Sequence, residues 1–255
     1  MGLSPYAWLI ETAFDREVVR QILAPYRPFR CEANFSSGFS TREYGDTTLY
    51  AKAEPLGSLH LFGPTLKLDA ATRILDIGCH LGYYGHHFLA QGVRSYTGVE
   101  FDERLFDCAK LIRTLAAIDA GRLDFVHGDF GAAETTPRLR RQAPYQIILS
   151  LASLNNIRSL TAALLALPEL LAADGVFIIE YLALSSPAPV CEFHREGYRG
   201  DRTLYWIFSE AFLDEFLGAI GLVRTERLIE WRNAEAIGPD AVKIMAIYRK
   251  SGGDG

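Results

Sequence analysis

Cysteine is scarce and badly spaced for metal or redox work. Cys31, Cys79, Cys108 and Cys191 are scattered over 255 residues, with no C-x-x-C pair. Zinc-finger and thioredoxin-like chemistry both need such close pairing, so no metal site is expected. Membrane-spanning runs are missing as well, because the longest apolar stretch, around Ile147–Leu154, has the length of a strand. The N-terminal MGLSPYAWLIETAF has no basic opening and carries Glu11 early, unlike a signal peptide. Free thiols in a cytoplasmic protein with no membrane partner are therefore expected. An excess of positive charge is also lacking. Against 31 Asp and Glu stand 26 Lys and Arg, a net charge of −5, so duplex nucleic acid is not an expected partner. The local clusters Arg138, Arg140, Arg141 and Arg195, Arg199, Arg202 read first as solvated surface.

What the chain does have is material for a core. Hydrophobic residues make up 49% and charged residues 22%, which excludes disorder and disulfide-dependent scaffolds. Residues 1–68 form an aromatic-rich arm, and residues 69–250 alternate between strand-like and helix-like runs. The tail 251–255 is Gly-rich and read as flexible. Strands are predicted at Arg73–Ile77, Ser95–Glu100, Leu123–His127, Tyr145–Leu151 and Val176–Tyr181. Helices are predicted at Tyr83–Gln91, from Asp102 to about Ile118, over Ser159–Leu171 and over Ser209–Ile220. This alternation implies an α/β, doubly wound parallel sheet covered by helices on both faces. The end of the chain breaks the rhythm: Val223–Trp231 and Ala241–Arg249 are separated by about nine residues, too few for a parallel crossover. They are expected to pair antiparallel.

The chemistry-bearing segment is Asp76-Ile77-Gly78-Cys79-His80-Leu81-Gly82-Tyr83-Tyr84, at the end of the first core strand. Glycines where a strand turns into a helix let backbone N–H groups approach a ligand closely. Such a ligand sits outside the carboxyl ends of the strands, at the topological switch point. Glu100 ends the next strand, where a carboxylate can accept two ribose hydroxyls. Asp129 follows the third strand, placed to take an exocyclic amine, with Phe130 placed to cover an adenine face.

These residues together resemble the class I S-adenosylmethionine-dependent methyltransferases. Asp76-x-Gly78-x-x-x-Gly82 matches their first motif, Glu100 their ribose acid and Gly128-Asp129-Phe130 their adenine turn. The resemblance spans about Arg73 to Lys250. It implies a seven-stranded sheet in the order 3-2-1-4-5-7-6, last strand antiparallel, with an S-adenosylmethionine pocket over strands one, two and four. Cofactor contacts are then expected from Asp76, Gly78, Cys79, His80, Gly82, Tyr83, Glu100, Phe101, Asp129, Phe130 and Ser150. The family commonly has Gly where this chain has His80. A narrower likeness is to the group that includes tRNA wobble-uridine carboxymethyltransferases, through Gly78–Tyr84, Gly200-Asp201-Arg202, Tyr205 and Phe208-Ser209. That group carries a Tyr-His pair after strand four, where this chain has Asn155-Asn156.

Methyl transfer from a sulfonium needs positioning and desolvation more than a base. The expected acceptor contacts are Tyr84, Asn155, Asn156 and Glu180, with helix capping as the competing role of the two asparagines. His194, in the substrate-side insertion 183–208, is the expected base, kept neutral by Arg195 and Arg199; His80 is its reserve. The arm and the insertion together offer an aromatic lid of Trp8, Tyr26, Phe35, Phe39, Phe193, Tyr198 and Trp206, which suits a small-molecule acceptor and allows a homodimer. Two rival readings remain. A nicotinamide-binding dehydrogenase lacks its first fingerprint glycine at His80. A non-catalytic cofactor-binding module has the same motifs.

Overall fold

The computed structural model describes residues 9–29, 32–45, 58–231 and 240–252. Its N-terminal part holds β1 (Leu9–Ile10), α1 (Arg16–Leu23), β2 (Asn34–Phe35) and the single-turn α2 (Leu59–Phe62). There follow β3 (Arg73–Ile77), α3 (Tyr83–Ala90), β4 (Ser95–Glu100), α4 (Glu103–Leu115), β5 (Leu123–His127) and α5 (Thr136–Arg140). The chain continues through β6 (Tyr145–Leu151), α6 (Leu160–Leu170), β7 (Leu171–Leu184), β8 (Cys191–Phe193) and β9 (Trp206–Ser209). It ends with α7 (Glu210–Ala219), β10 (Leu222–Trp231) and β11 (Ala241–Lys250).

The main sheet runs β10-β11-β7-β6-β3-β4-β5. Strands β3 to β7 are parallel, whereas β11 is antiparallel to both β7 and β10. In order of the core strands this is 3-2-1-4-5-7-6, a Rossmann-like sheet with the order that the resemblance implies. Two further strands, β8 and β9, join at the side of β7.

Two boundaries differ from the sequence reading, each for a local reason. Strand β7 runs to Leu184 because its far end is paired on both flanks, Ala183 with Phe208 of β9 and Leu184 with Ala241 of β11. Helix α4 stops at Leu115, short of Ile118, where Ala117 takes a left-handed conformation with φ 52°. Asp102 caps that helix, its carboxylate accepting from Leu105 N–H at 3.1 Å.

Strand residues alternate between two apolar layers. Ile74, Leu149, Ile178, Met245 and Ile247 face α3, α4 and the N-terminal part. Leu75, Ile77, Ile148, Phe177 and Ile179 face α6 and α7. The arm aromatics correct one expectation. Phe35 and Phe39, expected to line a lid, are buried with Phe29 in the arm's own packing, and Phe39 meets Tyr44 edge-on at 5.4 Å. Burying such rings against each other removes more apolar area from water than a solvent-facing lid would. Tyr26 is half-buried against α4, while Trp8 lies outside the described residues.

Candidate active site

The loop leaving β3 is shaped by backbone conformation. Gly78, His80 and Gly82 all have left-handed φ values, 76°, 53° and 78°. Glycine is required at both outer positions. A Cβ on Gly78 would lie 2.4 Å from the Ser153 Cβ, and one on Gly82 would lie 2.6 Å from the Phe125 ring. Gly78 and Cys79 donate their N–H groups to the Val99 carbonyl, at 2.9 and 3.0 Å. His80 N–H donates to Glu100 Oε2 at 2.9 Å, and Asp102 N–H donates to Glu100 Oε1 at 3.0 Å.

Glu100 therefore ties the β3 loop to the β4–α4 turn with one carboxylate. It is buried, and desolvation raises its pKa although the backbone donors oppose the shift. Each carboxylate oxygen has further lone pairs, so the group can also accept from ligand hydroxyls. Below it, Asp76 accepts a hydrogen bond from the Tyr96 hydroxyl. Burial, reinforced by the Glu100 charge, pushes Asp76 up to about 7.

The side chains of this loop are more committed to packing than their motif suggests. The Cys79 sulfur lies against Gly98, where a Cβ would meet it at 2.4 Å, and burial pushes its thiol up. The His80 ring stacks on Tyr83 at 5.3 Å, with Nδ1 2.5 Å from the Tyr83 hydroxyl. That contact and the left-handed backbone make His80 a loop-forming residue. Tyr84 is buried between Phe62 and Phe88.

Ser150 is fully buried, its hydroxyl 2.8 Å from that of Ser153, which in turn donates to the Ile77 carbonyl. Ser153 was missed in the sequence. Its role depends on β6 lying beside β3.

Two aromatics stand near the edge where an adenine was expected. Phe130, expected to cover an adenine face, is 2% exposed within the core layer facing α6. Phe101, directly after Glu100, is 53% exposed. Asp129 accepts from the Arg158 N–H at 3.1 Å, just before α6, and desolvation raises its pKa.

On the other flank of β6 the structure corrects the reading of Asn155. Its amide donates to the carbonyls of Leu182 and Trp206, at 2.9 and 2.8 Å, and its oxygen accepts from Leu182 N–H at 2.9 Å. Only 2% exposed, this side chain rivets β7 to β9 and presents nothing to an acceptor. Asn156 donates to the Thr203 hydroxyl at 3.2 Å, holding the insertion loop.

The insertion itself departs from expectation. Glu192, rather than an arginine, faces His194, with Oε2 3.3 Å from Nε2, and Tyr198 meets the ring edge-on at 5.1 Å. Arg195 points to Glu196 in open solvent. Of the insertion aromatics, Phe193 is 57% exposed and packs on Trp206 at 4.9 Å.

Glu180 lies 7% exposed within β7, four residues before its end at Leu184. Lys243 of β11 pairs with its Oε1 at 2.6 Å, and the Ser58 hydroxyl donates to its Oε2 at 3.3 Å. Lys243 went unnoticed in the sequence, where its one signal was a cation inside the apolar run Ala241-Val242-Lys243-Ile244-Met245.

Comparison with known proteins matches residues 49–226 to a family described as a methyltransferase domain. Among curated proteins, the tRNA U34 carboxymethyltransferase of Pseudomonas paraeruginosa is 27% identical over 179 residues, 65% of this chain and 53% of that protein. The Stutzerimonas stutzeri protein of the same name is 28% identical over 156 residues, 60% of this chain and 46% of its own length. The chain thus spans about half the length of these relatives.

Among solved structures, the N-terminal domain of EvdMO1, in the presence of SAH and D-fucose, superposes with a TM-score of 0.69. Identity there is 15%, covering 97% of this chain and 100% of that one. The Burkholderia thailandensis 1,6-didemethyltoxoflavin-N1-methyltransferase, with bound 1,6-didemethyltoxoflavin and S-adenosylhomocysteine, superposes with a TM-score of 0.55. It is 20% identical, covering 82% of this chain and 84% of its own.

Proposed function

The chain belongs to the methyltransferase domain family, and from that premise we propose that it methylates a small-molecule acceptor, with S-adenosylmethionine as its cofactor. The observation that carries the reading is the Gly78–Gly82 loop fastened to Glu100 by the His80 N–H. The cradle has no room for a Cβ at either glycine, and Glu100 keeps acceptor capacity for the two ribose hydroxyls. Phe101 offers its exposed face to the adenine, and Asp129 stands at the same edge of the sheet. When bound, the cofactor supplies an electrophilic methyl carbon on a good leaving group. The protein's own task is to exclude water and to hold the acceptor in line with that carbon.

A small-molecule acceptor is supported by the net charge of −5 and by Asn155-Asn156 standing where the wobble-uridine enzymes carry Tyr-His. The EvdMO1 domain and the toxoflavin enzyme, both similar in fold, were solved with small molecules. The rival reading, a tRNA wobble-uridine-type enzyme, draws on the 27% identity to the U34 carboxymethyltransferases. We place the protein in the cytoplasm. Among the described residues no helix is long and apolar enough to cross a membrane.

Calorimetric titration with S-adenosylhomocysteine tests the assignment. Binding to the wild type, weakened by about 1.5–3 kcal/mol in Glu100→Ala, is the expected result. Unchanged affinity in a folded Glu100→Ala would remove Glu100 from the cofactor site. Saturable methyl incorporation into unmodified tRNA would favour the rival.

A further inference from the structure

The pairing of Glu180 with Lys243 is hard to explain as a stability device. A carboxylate inside an apolar strand loses its hydration, and a buried ion pair is often no better than apolar side chains of similar volume. Ile178, two residues before Glu180, and Met245, directly opposite it, are buried on the same face, so an apolar residue would suit the Glu180 position.

The register shows where the pair stands. Asp76 lies beside Leu149 and Leu149 beside Ile178; two residues further on, Leu151 lies beside Glu180. Glu180 is therefore level with Gly78, the start of the cofactor loop, at two strand spacings or about 10 Å. It shares the sheet face of Ile178 and Met245, the face covered by α3 and the N-terminal part. The Ser58 hydroxyl reaches it from that side.

The neighbouring strand adds an aromatic. Trp231 of β10 is directly opposite Lys243 of β11, two residues beyond the Ile229–Met245 pair, so it stands on the same face. Trp231 is 39% exposed and the Lys243 side chain 40% exposed, while Glu180 stays buried.

We propose that Glu180, Lys243 and Trp231 form the acceptor subsite, and that its ligand is an uncharged, hydroxyl-bearing ring of the sugar class. This rests on the methyltransferase reading above and deepens it. The half-exposed ammonium donates to one ring hydroxyl, and the carboxylate paired with it accepts from a neighbouring hydroxyl that takes the place of Ser58's, so the pair has no net charge to spend on an ionic ligand. A charged ligand gains little on balance, because the member of the pair with its own sign offsets the attraction of the other, while the ligand gives up its hydration. The indole provides a flat apolar wall for the carbon face of the ring while its edge stays wet.

The test uses the full chain saturated with S-adenosylhomocysteine. Neutral hexoses and deoxyhexoses, each with its uronate and amino-sugar counterpart, are screened by saturation-transfer NMR and titrated. The expected result is binding of neutral members at least tenfold tighter than of charged counterparts. Glu180→Gln and Lys243→Met should each lose at least tenfold, and Trp231→Ala at least fivefold, with affinity for S-adenosylhomocysteine held within twofold. The double variant Glu180→Leu with Lys243→Met guards against misfolding, because it removes both charges together. It should fold, bind S-adenosylhomocysteine and lose the sugar. Preference for a charged counterpart, absence of neutral-sugar binding while S-adenosylhomocysteine binds, or sugar binding retained in the double variant would each overturn the proposal. A wild type that fails to bind S-adenosylhomocysteine would instead overturn the parent reading.

Discussion

The carboxyl end of the sheet is built differently on its two flanks. From β3 to β5 the site is made of backbone: left-handed glycines, N–H groups turned onto one carboxylate, and side chains packed underneath. From β6 to β11 it is made of side chains drawn from distant segments, with Asn155 reaching β7 and β9 and Lys243 reaching Glu180. A backbone cradle tolerates change in most of its side chains but not in its glycines. A side-chain lattice tolerates backbone variation but fails when one hub is removed. This division fits an enzyme that holds an invariant cofactor on one side and a particular acceptor on the other.

The sharpest way to break the comparison is at Gly82. Gly82→Ala places a Cβ against the Phe125 ring in a left-handed conformation, and should cost about 4 kcal/mol in urea unfolding. A loss below about 1 kcal/mol would mean that the cradle yields, contrary to the backbone account.

On the other flank Asn155→Ala should cost about 3 kcal/mol, because three backbone groups lose their partner together. The strand-edge amide of Leu182 should show faster hydrogen exchange. An acceptor-contacting asparagine would instead leave stability unchanged and weaken only acceptor binding.

Asp76 gives a pH signature to the cradle. Its native pKa of about 7 lies above the ordinary carboxylate value, so the native state holds the proton more tightly than the unfolded chain. Its contribution is fully present below about pH 4 and is lost as pH rises through 7. Wild type should therefore gain about 2 kcal/mol relative to Asp76→Asn between pH 7 and pH 5. Parallel stability curves for the two proteins would show that Asp76 is not desolvated.

The smallest effect is expected at His194. Its ring faces Glu192 and Tyr198 on the insertion, and His194→Gln should change single-turnover methyl transfer by less than about threefold, or about 0.6 kcal/mol. A fall of a hundredfold would restore it as the base.

The individual strands, the terminal antiparallel pair and the cradle glycines were legible because each depends on short-range features; the strand order came only with the family resemblance. Apolar runs bounded by turns mark buried strands, a nine-residue connection forbids a parallel crossover, and Gly78 and Gly82 mark left-handed turns. His80, standing where the family commonly has Gly, takes the left-handed φ of 53° that the turn requires. The roles of Asn155, Ser153 and Lys243 were not legible. An asparagine after a strand looks the same whether it meets a ligand or two carbonyls some 27 and 51 residues away.

The sequence by itself determined the alternating strands and helices, the antiparallel end and the glycine loop after the first core strand, since local sterics and hydrophobic periodicity act over a few residues. Only the tertiary structure decided which polar side chains hold the fold and which face an acceptor. Placing Lys243 beside Glu180 and Trp231 requires three strands to settle into one register, and register is a property of the whole packed sheet.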